Sequence, residues 1–151
     1  MNIHHRGVYH DRLDAPFVGS LIFAADCHHH CRGCCHEDRH TKELLCTDSE
    51  VIIQEVLDYK FSQGIILGGF EWTEQPDELM DLVDKAYSKG LQIILYTHHT
   101  KEDLQRILPW IYKYKGIYIK YGEYREDLRT TGHVMYGVTL ATSNQYIEKV
   151  E

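Results

Sequence analysis

The chain has no apolar run approaching the roughly 18 residues that a membrane-spanning helix needs. Its first residues, Met1-Asn2-Ile3-His4-His5-Arg6, lack the apolar core of a secretory signal. Together these absences lead to the expectation of a cytoplasmic protein with no membrane association, in a compartment where thiols stay reduced. Positive charge is also scarce. Sixteen lysines and arginines face 23 acidic residues, for a formal net charge of −7. That balance excludes the usual nucleic-acid surface, which needs a basic patch or stripe. The densest basic stretch, Lys113 to Lys120, carries three lysines among tyrosines and reads as strand edge. Linkers, low-complexity tracts and a second composition regime are missing as well, so residues 1–151 are expected to form one domain.

What is present has an α/β rhythm. Ser20–Ala25 is a short apolar run with the look of a buried strand. Thr47-Asp48-Ser49-Glu50 has the form of a capping box, with Thr47 as the cap. It predicts a helix over about Ser49 to Ser62 with Ile52, Val56 and Tyr59 on one stripe and Ile53 and Leu57 beside it. Gly64, Gly90 and Gly116 recur at equal spacing, each between a helical pattern and an apolar run. They are placed as the residues that end helices in the left-handed conformation. The runs after them, Ile65–Leu67, Leu91–Tyr96 and Ile117–Tyr121, predict strands. Helices are expected over about Pro76–Lys89 and Thr100–Tyr114, the second capped by Thr100 and kinked or ended by Pro109. Val134–Leu140 has β character, and Gln145–Val150 predicts a last strand. The expected fold is α/β with a parallel sheet, whose ligands gather at the carboxyl ends of the strands.

Chemistry is concentrated in Cys27-His28-His29-His30-Cys31-Arg32-Gly33-Cys34, directly after the first predicted strand. Five cysteines, four of them within nine residues, make a poor disulfide framework. The spacing C-x3-C-x2-C has no fourth cysteine suitably placed, because adjacent Cys34 and Cys35 would struggle to reach separate irons. Three thiolates can hold three irons of a [4Fe–4S] cubane and leave the fourth iron open. A structural zinc site using Cys27, Cys31, Cys34 and either Cys35 or His36 is the competing reading. It is disfavoured because structural zinc more often uses two separated ligand pairs. Cys46 reads as a buried small residue or free thiol, and most of the eleven histidines as residues of solvated loops.

This spacing after a first strand resembles the signature of the radical S-adenosylmethionine enzymes. Gly33 before the last cysteine, with His29 two residues before Cys31, resembles more narrowly the activating proteins of anaerobic ribonucleotide reductase. Further segments are similar in order: Gly68-Gly69-Phe70-Glu71-Trp72, Tyr96-Thr97, the stretch 118–128 and Thr142-Ser143-Asn144-Gln145. The departures are Phe70 at the family's second glycine, Trp72 at its proline, His98-His99 where a glycine follows Tyr-Thr, and Ala141 at a small residue. They mark a divergent branch.

The resemblance implies a partial, open parallel β/α barrel. It implies cluster ligation by Cys27, Cys31 and Cys34, and S-adenosylmethionine contacts from Gly33, Cys34, Gly68, Gly69 and Glu71. It further implies a radical oxidoreductase that takes an electron from a donor such as flavodoxin, cleaves S-adenosylmethionine and generates a glycyl radical on anaerobic ribonucleotide reductase. Another glycyl-radical protein or a small molecule as substrate is the nearer alternative, and a non-catalytic zinc-stabilised module the more distant one. Two residues keep two readings: Glu71 as cofactor contact or helix cap, Lys120 as partner of a bound carboxylate or simply the end of its strand. No side-chain general base is required for hydrogen-atom abstraction, and none is assigned.

Overall fold

The computed structural model describes residues 1–26 and 42–151. Along them run β1 (Asn2–Arg12), β2 (Gly19–Ala24), β3 (Leu45–Asp48), α1 (Ser49–Asp58), β4 (Gly64–Gly68), α2 (Pro76–Ser88), β5 (Gln92–Tyr96), α3 (Lys101–Ile107), β6 (Tyr118–Tyr121), β7 (Val134–Met135), β8 (Val138–Thr139) and β9 (Tyr146–Lys149). One mixed seven-stranded sheet has the order β3-β1-β2-β4-β5-β6-β9, and β7-β8 form a separate hairpin. The four strands β2, β4, β5 and β6 are parallel neighbours in chain order. Antiparallel strands flank them, β1 and β3 on one side and β9 on the other. The fold is therefore α/β. The sheet stays open, ending at β3 and β9 rather than closing into a barrel.

The parallel strands are the most apolar part of the chain. Every residue of β2 and of β4 is buried, as expected where a parallel sheet is covered on both faces. Helix α1 buries Ile52, Ile53 and Val56 against the sheet, whereas Leu57 remains exposed. Its cap is Asp48, which accepts from the Glu50 amide at 2.9 Å, and not Thr47. Thr47 is still in β3, opposite Ile3, and its hydroxyl meets the His5 ring at 2.9 Å. The helix ends at Asp58 rather than Ser62, and the Tyr59 ring leaves it to stack on His10 at 4.3 Å between centroids.

Gly90 and Gly116 adopt the left-handed conformation, as the spacing predicts. Gly64 does not. It opens β4, and a Cβ there would lie 2.1 Å from the Gln92 carbonyl oxygen, so this glycine serves close approach of β5. Thr100 caps α3 by accepting from the Asp103 amide at 3.2 Å. As expected, the helical stretch from Thr100 to Tyr114 is interrupted at Pro109: α3 ends at Ile107 and a 3-10 segment, Pro109–Lys113, follows. Proline has no amide hydrogen for the helix ladder, which fixes the break there.

Strand β1 was not expected from the polar, histidine-rich sequence of residues 2–12. Between paired His5–Ala24 and Val8–Ile22, Arg6 and Gly7 face Phe23 alone; between Tyr9–Leu21 and Arg12–Gly19, His10 and Asp11 face Ser20 alone. Each is a β-bulge, which bends a strand and redirects its side chains. His5 is 3% exposed, contrary to the expectation of solvated histidines, because its ring bonds Thr47 and accepts from the Gly7 amide at 3.1 Å. Cys46 is a free thiol, the second of its two readings, and is exposed on β3 rather than buried.

Candidate functional site

The carboxyl ends of β2, β4, β5 and β6 lie side by side because the strands are parallel and adjacent. β2 ends at Ala24 and its chain continues into the cysteine run. Cys27, Cys31, Gly33 and Cys34, with His28, His29, His30, Cys35 and His36, lie outside the described residues. The approach to them is fastened to the next strand's loop. The Ala25 amide donates to the Gln75 side chain at 2.9 Å, and the Glu71 amide donates to the Asp26 carbonyl at 3.0 Å.

β4 delivers Gly68, Gly69, Phe70 and Glu71 to the same end. Gly69 takes φ +82°, and a Cβ on it would fall 2.5 Å from the Phe23 ring. Both facts require glycine. At Gly68 a Cβ would crowd Leu21 at 3.3 Å and approach Tyr96 at 3.8 Å. Phe70, which stands where the resemblance has a glycine, turns its ring edge-on to Phe23 at 4.9 Å. Trp72, which stands where the resemblance has a proline, is fully buried and donates from its indole nitrogen to the Ile22 carbonyl at 3.1 Å.

Glu71 is 3% exposed. Its Oε1 accepts from the His98 amide at 2.8 Å; its Oε2 accepts from the Thr73 amide at 3.2 Å, the Thr73 hydroxyl at 2.9 Å and the Thr97 hydroxyl at 3.1 Å. All four donors are neutral. With the Thr73 hydroxyl proton committed to Glu71, the 3.1 Å contact of His99 Nε2 is one in which the ring nitrogen donates to Thr73. The His98 ring stands 3.6 Å from Glu71 Oε1. The cap reading of Glu71 holds, for it caps the turn Trp72–Glu74; its carboxylate also stands at the wall of a cavity.

That cavity has a volume of about 380 Å³. Gly68, Gly69, Glu71, Tyr96, Thr97 and Gln145 all line it, so the sequence segments singled out separately meet around one space. Lys120 lines it too, and this residue the sequence left undecided. Its ammonium is buried, donating to the Gly122 carbonyl at 2.9 Å and the Thr97 carbonyl at 3.4 Å. Strand parity explains the placement: Lys120 faces the cavity, while Tyr121 points the other way to share a 2.7 Å hydroxyl contact with Tyr112. The Tyr96 phenol donates to the Asp14 carbonyl at 2.6 Å, and burial raises its pKa far above the ordinary value.

Residues 142–145 fasten the turn that follows β6. The Asn144 side-chain amide donates from Nδ2 to the Glu123 carbonyl at 2.9 Å, the Gln145 side chain donates from Nε2 to the Gly122 carbonyl at 3.3 Å, and the Gln145 side-chain oxygen accepts from the Thr142 backbone amide at 3.2 Å. They clasp the turn that follows Lys120 and so set the cavity's far wall.

The chain matches the family model of the 4Fe-4S single cluster domain over residues 16–147. It belongs to that family. No curated protein matches the chain. For a cluster domain the donor set is chemically apt, since thiolates are the usual ligands of iron in these clusters. Among the described residues no group of three or more His, Cys, Asp or Glu could hold a metal ion. No helix among the described residues is long and apolar enough to cross a membrane.

Proposed function

We propose that this cluster domain is a radical S-adenosylmethionine activase whose protein substrate is the glycyl-radical subunit of anaerobic ribonucleotide reductase. One observation carries the reading: the cavity beside the outlet to the cysteine run is walled by a buried carboxylate, Glu71, and a buried ammonium, Lys120. Such a pair complements a zwitterionic amino-acid group, ammonium toward Glu71 and carboxylate toward Lys120. Apolar lining from Leu21, Ile66, Val138 and Leu140 suits the rest of a nucleoside-bearing ligand.

Cys27, Cys31 and Cys34 would hold the cluster, and Gly33, Cys34, Gly68, Gly69 and Glu71 would contact the S-adenosylmethionine. A bound cluster would supply the one-electron chemistry for reductive cleavage of S-adenosylmethionine and hydrogen-atom abstraction from a glycine. The chain's own residues bind, orient and keep water away, which is the protein's share of cofactor chemistry. Flavodoxin or a similar donor would supply the electron. Anaerobic reconstitution with iron and sulfide, then dithionite and S-adenosylmethionine, is the direct test. Release of 5′-deoxyadenosine supports the activity, and a glycyl radical in electron paramagnetic resonance on mixing with a candidate reductase supports the partner. Stoichiometric zinc without iron after anaerobic purification would sink both.

A further inference from the structure

We infer that Arg6 is a positioning residue that closes the neck of the cluster loop, an inference that rests on the cysteine run binding a cluster. Its guanidinium donates from Nε to the Ala25 carbonyl at 2.6 Å and from Nη1 to the Lys42 carbonyl at 2.8 Å. Ala25 stands two residues before Cys27, and Lys42 stands eight residues after Cys34. One side chain from a different strand thus grips the incoming and the outgoing chain on either side of all three ligands. Carbonyl acceptors of a charged donor make stronger hydrogen bonds than neutral pairs do.

The bulge explains how Arg6 comes to point there. Arg6 and Gly7 share the place of one residue opposite Phe23, and Gly7 takes φ +119° with the Tyr9 hydroxyl 2.7 Å from where a Cβ would stand. The His5 ring accepts from the Gly7 amide, and the Tyr9 hydroxyl donates to the Arg6 carbonyl at 2.9 Å, so the bulge is held from both sides. The guanidinium also lies 5.8 Å from the centroid of the Phe70 ring. The Lys42 ammonium lies 4.8 Å from the Tyr9 ring centroid and 5.5 Å from that of Phe23. Phe70 therefore has a role that a glycine there would lack: it couples the neck of the cysteine loop to the loop carrying Glu71. Fixing both ends of a loop lowers the entropy lost when its ligands converge. Arg6 accordingly favours retention of a cluster rather than stability of the sheet.

The test compares the wild-type chain with Arg6→Ala and Arg6→Lys, each reconstituted anaerobically with iron and sulfide. Measured are the iron and sulfide content, the rate at which a chelator bleaches the cluster absorption, and the thermal unfolding of the cluster-free proteins. Arg6→Ala is expected to lose its cluster about tenfold faster, the loss of about one charge-assisted hydrogen bond, with cluster-free unfolding within a few degrees of wild type. Arg6→Lys keeps the charge but not the fork that reaches two carbonyls, and is expected to fall between. Bleaching of both variants at the wild-type rate overturns the inference while leaving the cluster reading intact. So does full rescue by lysine, because the two-carbonyl grip would then be irrelevant. A wild-type chain that takes up no iron removes the cluster reading itself, and this inference with it.

Discussion

The two ends of the parallel strands carry similar side chains and put them to opposite uses. At the amino end, His10 bridges Ser20 Oγ at 2.7 Å and Glu55 Oε2 at 2.9 Å, in the acid-histidine-serine order of a hydrolytic triad. Ser20 is completely buried, however, and its hydroxyl also contacts Ser62 at 2.8 Å, which in turn donates to the Gly64 carbonyl at 3.1 Å. Every group there is spent on another group of the protein. At the carboxyl end, Glu71 is as well supplied with hydrogen bonds, yet it and Lys120 face open volume. Residue type and hydrogen-bond order do not separate a structural network from a site; the space beside it does.

The sharpest way to break that comparison is at the cysteines. Cys31→Ala is expected to abolish the cluster, read as loss of bound iron and of absorption near roughly 400 nm, whereas Ser20→Ala leaves both unchanged. Next in size, Glu71→Gln removes the charge at the cavity wall and is expected to weaken S-adenosylmethionine binding at least about tenfold in a titration, with the cluster still assembled. His10→Gln, at the other end, leaves that affinity as it was.

Gly69→Ala forces a methyl group into the Phe23 ring at a positive φ and is expected to cost about 2–3 kcal/mol, a drop of roughly 4–10 °C in the unfolding midpoint. Ser20→Ala is expected to cost about 1–2 kcal/mol, since the hydroxyl's bonds to His10 and Ser62 are lost with little change of volume.

The smallest effect is a pH dependence. Burial holds the His5 pKa below its ordinary 6.5. The unfolded chain therefore binds the proton more readily, so stability is full above 6.5 and falls as pH drops toward the lowered folded value. Because Nδ1 accepts from the Gly7 amide, protonation there also breaks a bond of the first bulge. A midpoint that stays flat on acidification from pH 7 to pH 5.5, or that falls equally in His5→Gln, would remove His5 as the cause.

Much of the parallel core was legible in advance, because uninterrupted apolar runs and glycine punctuation are direct consequences of burial on both faces. The runs ending at Ala25, Leu67, Tyr96 and Tyr121 marked the central strands, and Gly68, Gly69, Glu71, Tyr96 and Thr97 could be placed at their carboxyl ends. β1 was not legible. Its stability comes from pairing with β2 and β3 and from two bulges, and a sequence such as His4-His5-Arg6-Gly7 carries no period-two apolar signal. The cap of α1 was misplaced by one residue because Thr47 is claimed by His5, a partner 42 positions away. Arg6 and Gln75 escaped notice for the same reason. Each grips a backbone carbonyl or amide, and backbone acceptors leave no mark in the sequence. Lys120 could not be decided because strand parity alone turns it inward.

The neck at Ala25 and Lys42 divides the chain into a frame and an insert. Among the described residues, the groups seen to fix the neck, Arg6, Gln75 and the Glu71 amide, belong to the frame. Neither gripped carbonyl lies in a strand, so the clasp can be altered without touching a strand pairing. The frame and the grip on the cysteine run are thereby separable, and damage to one need not register in the other.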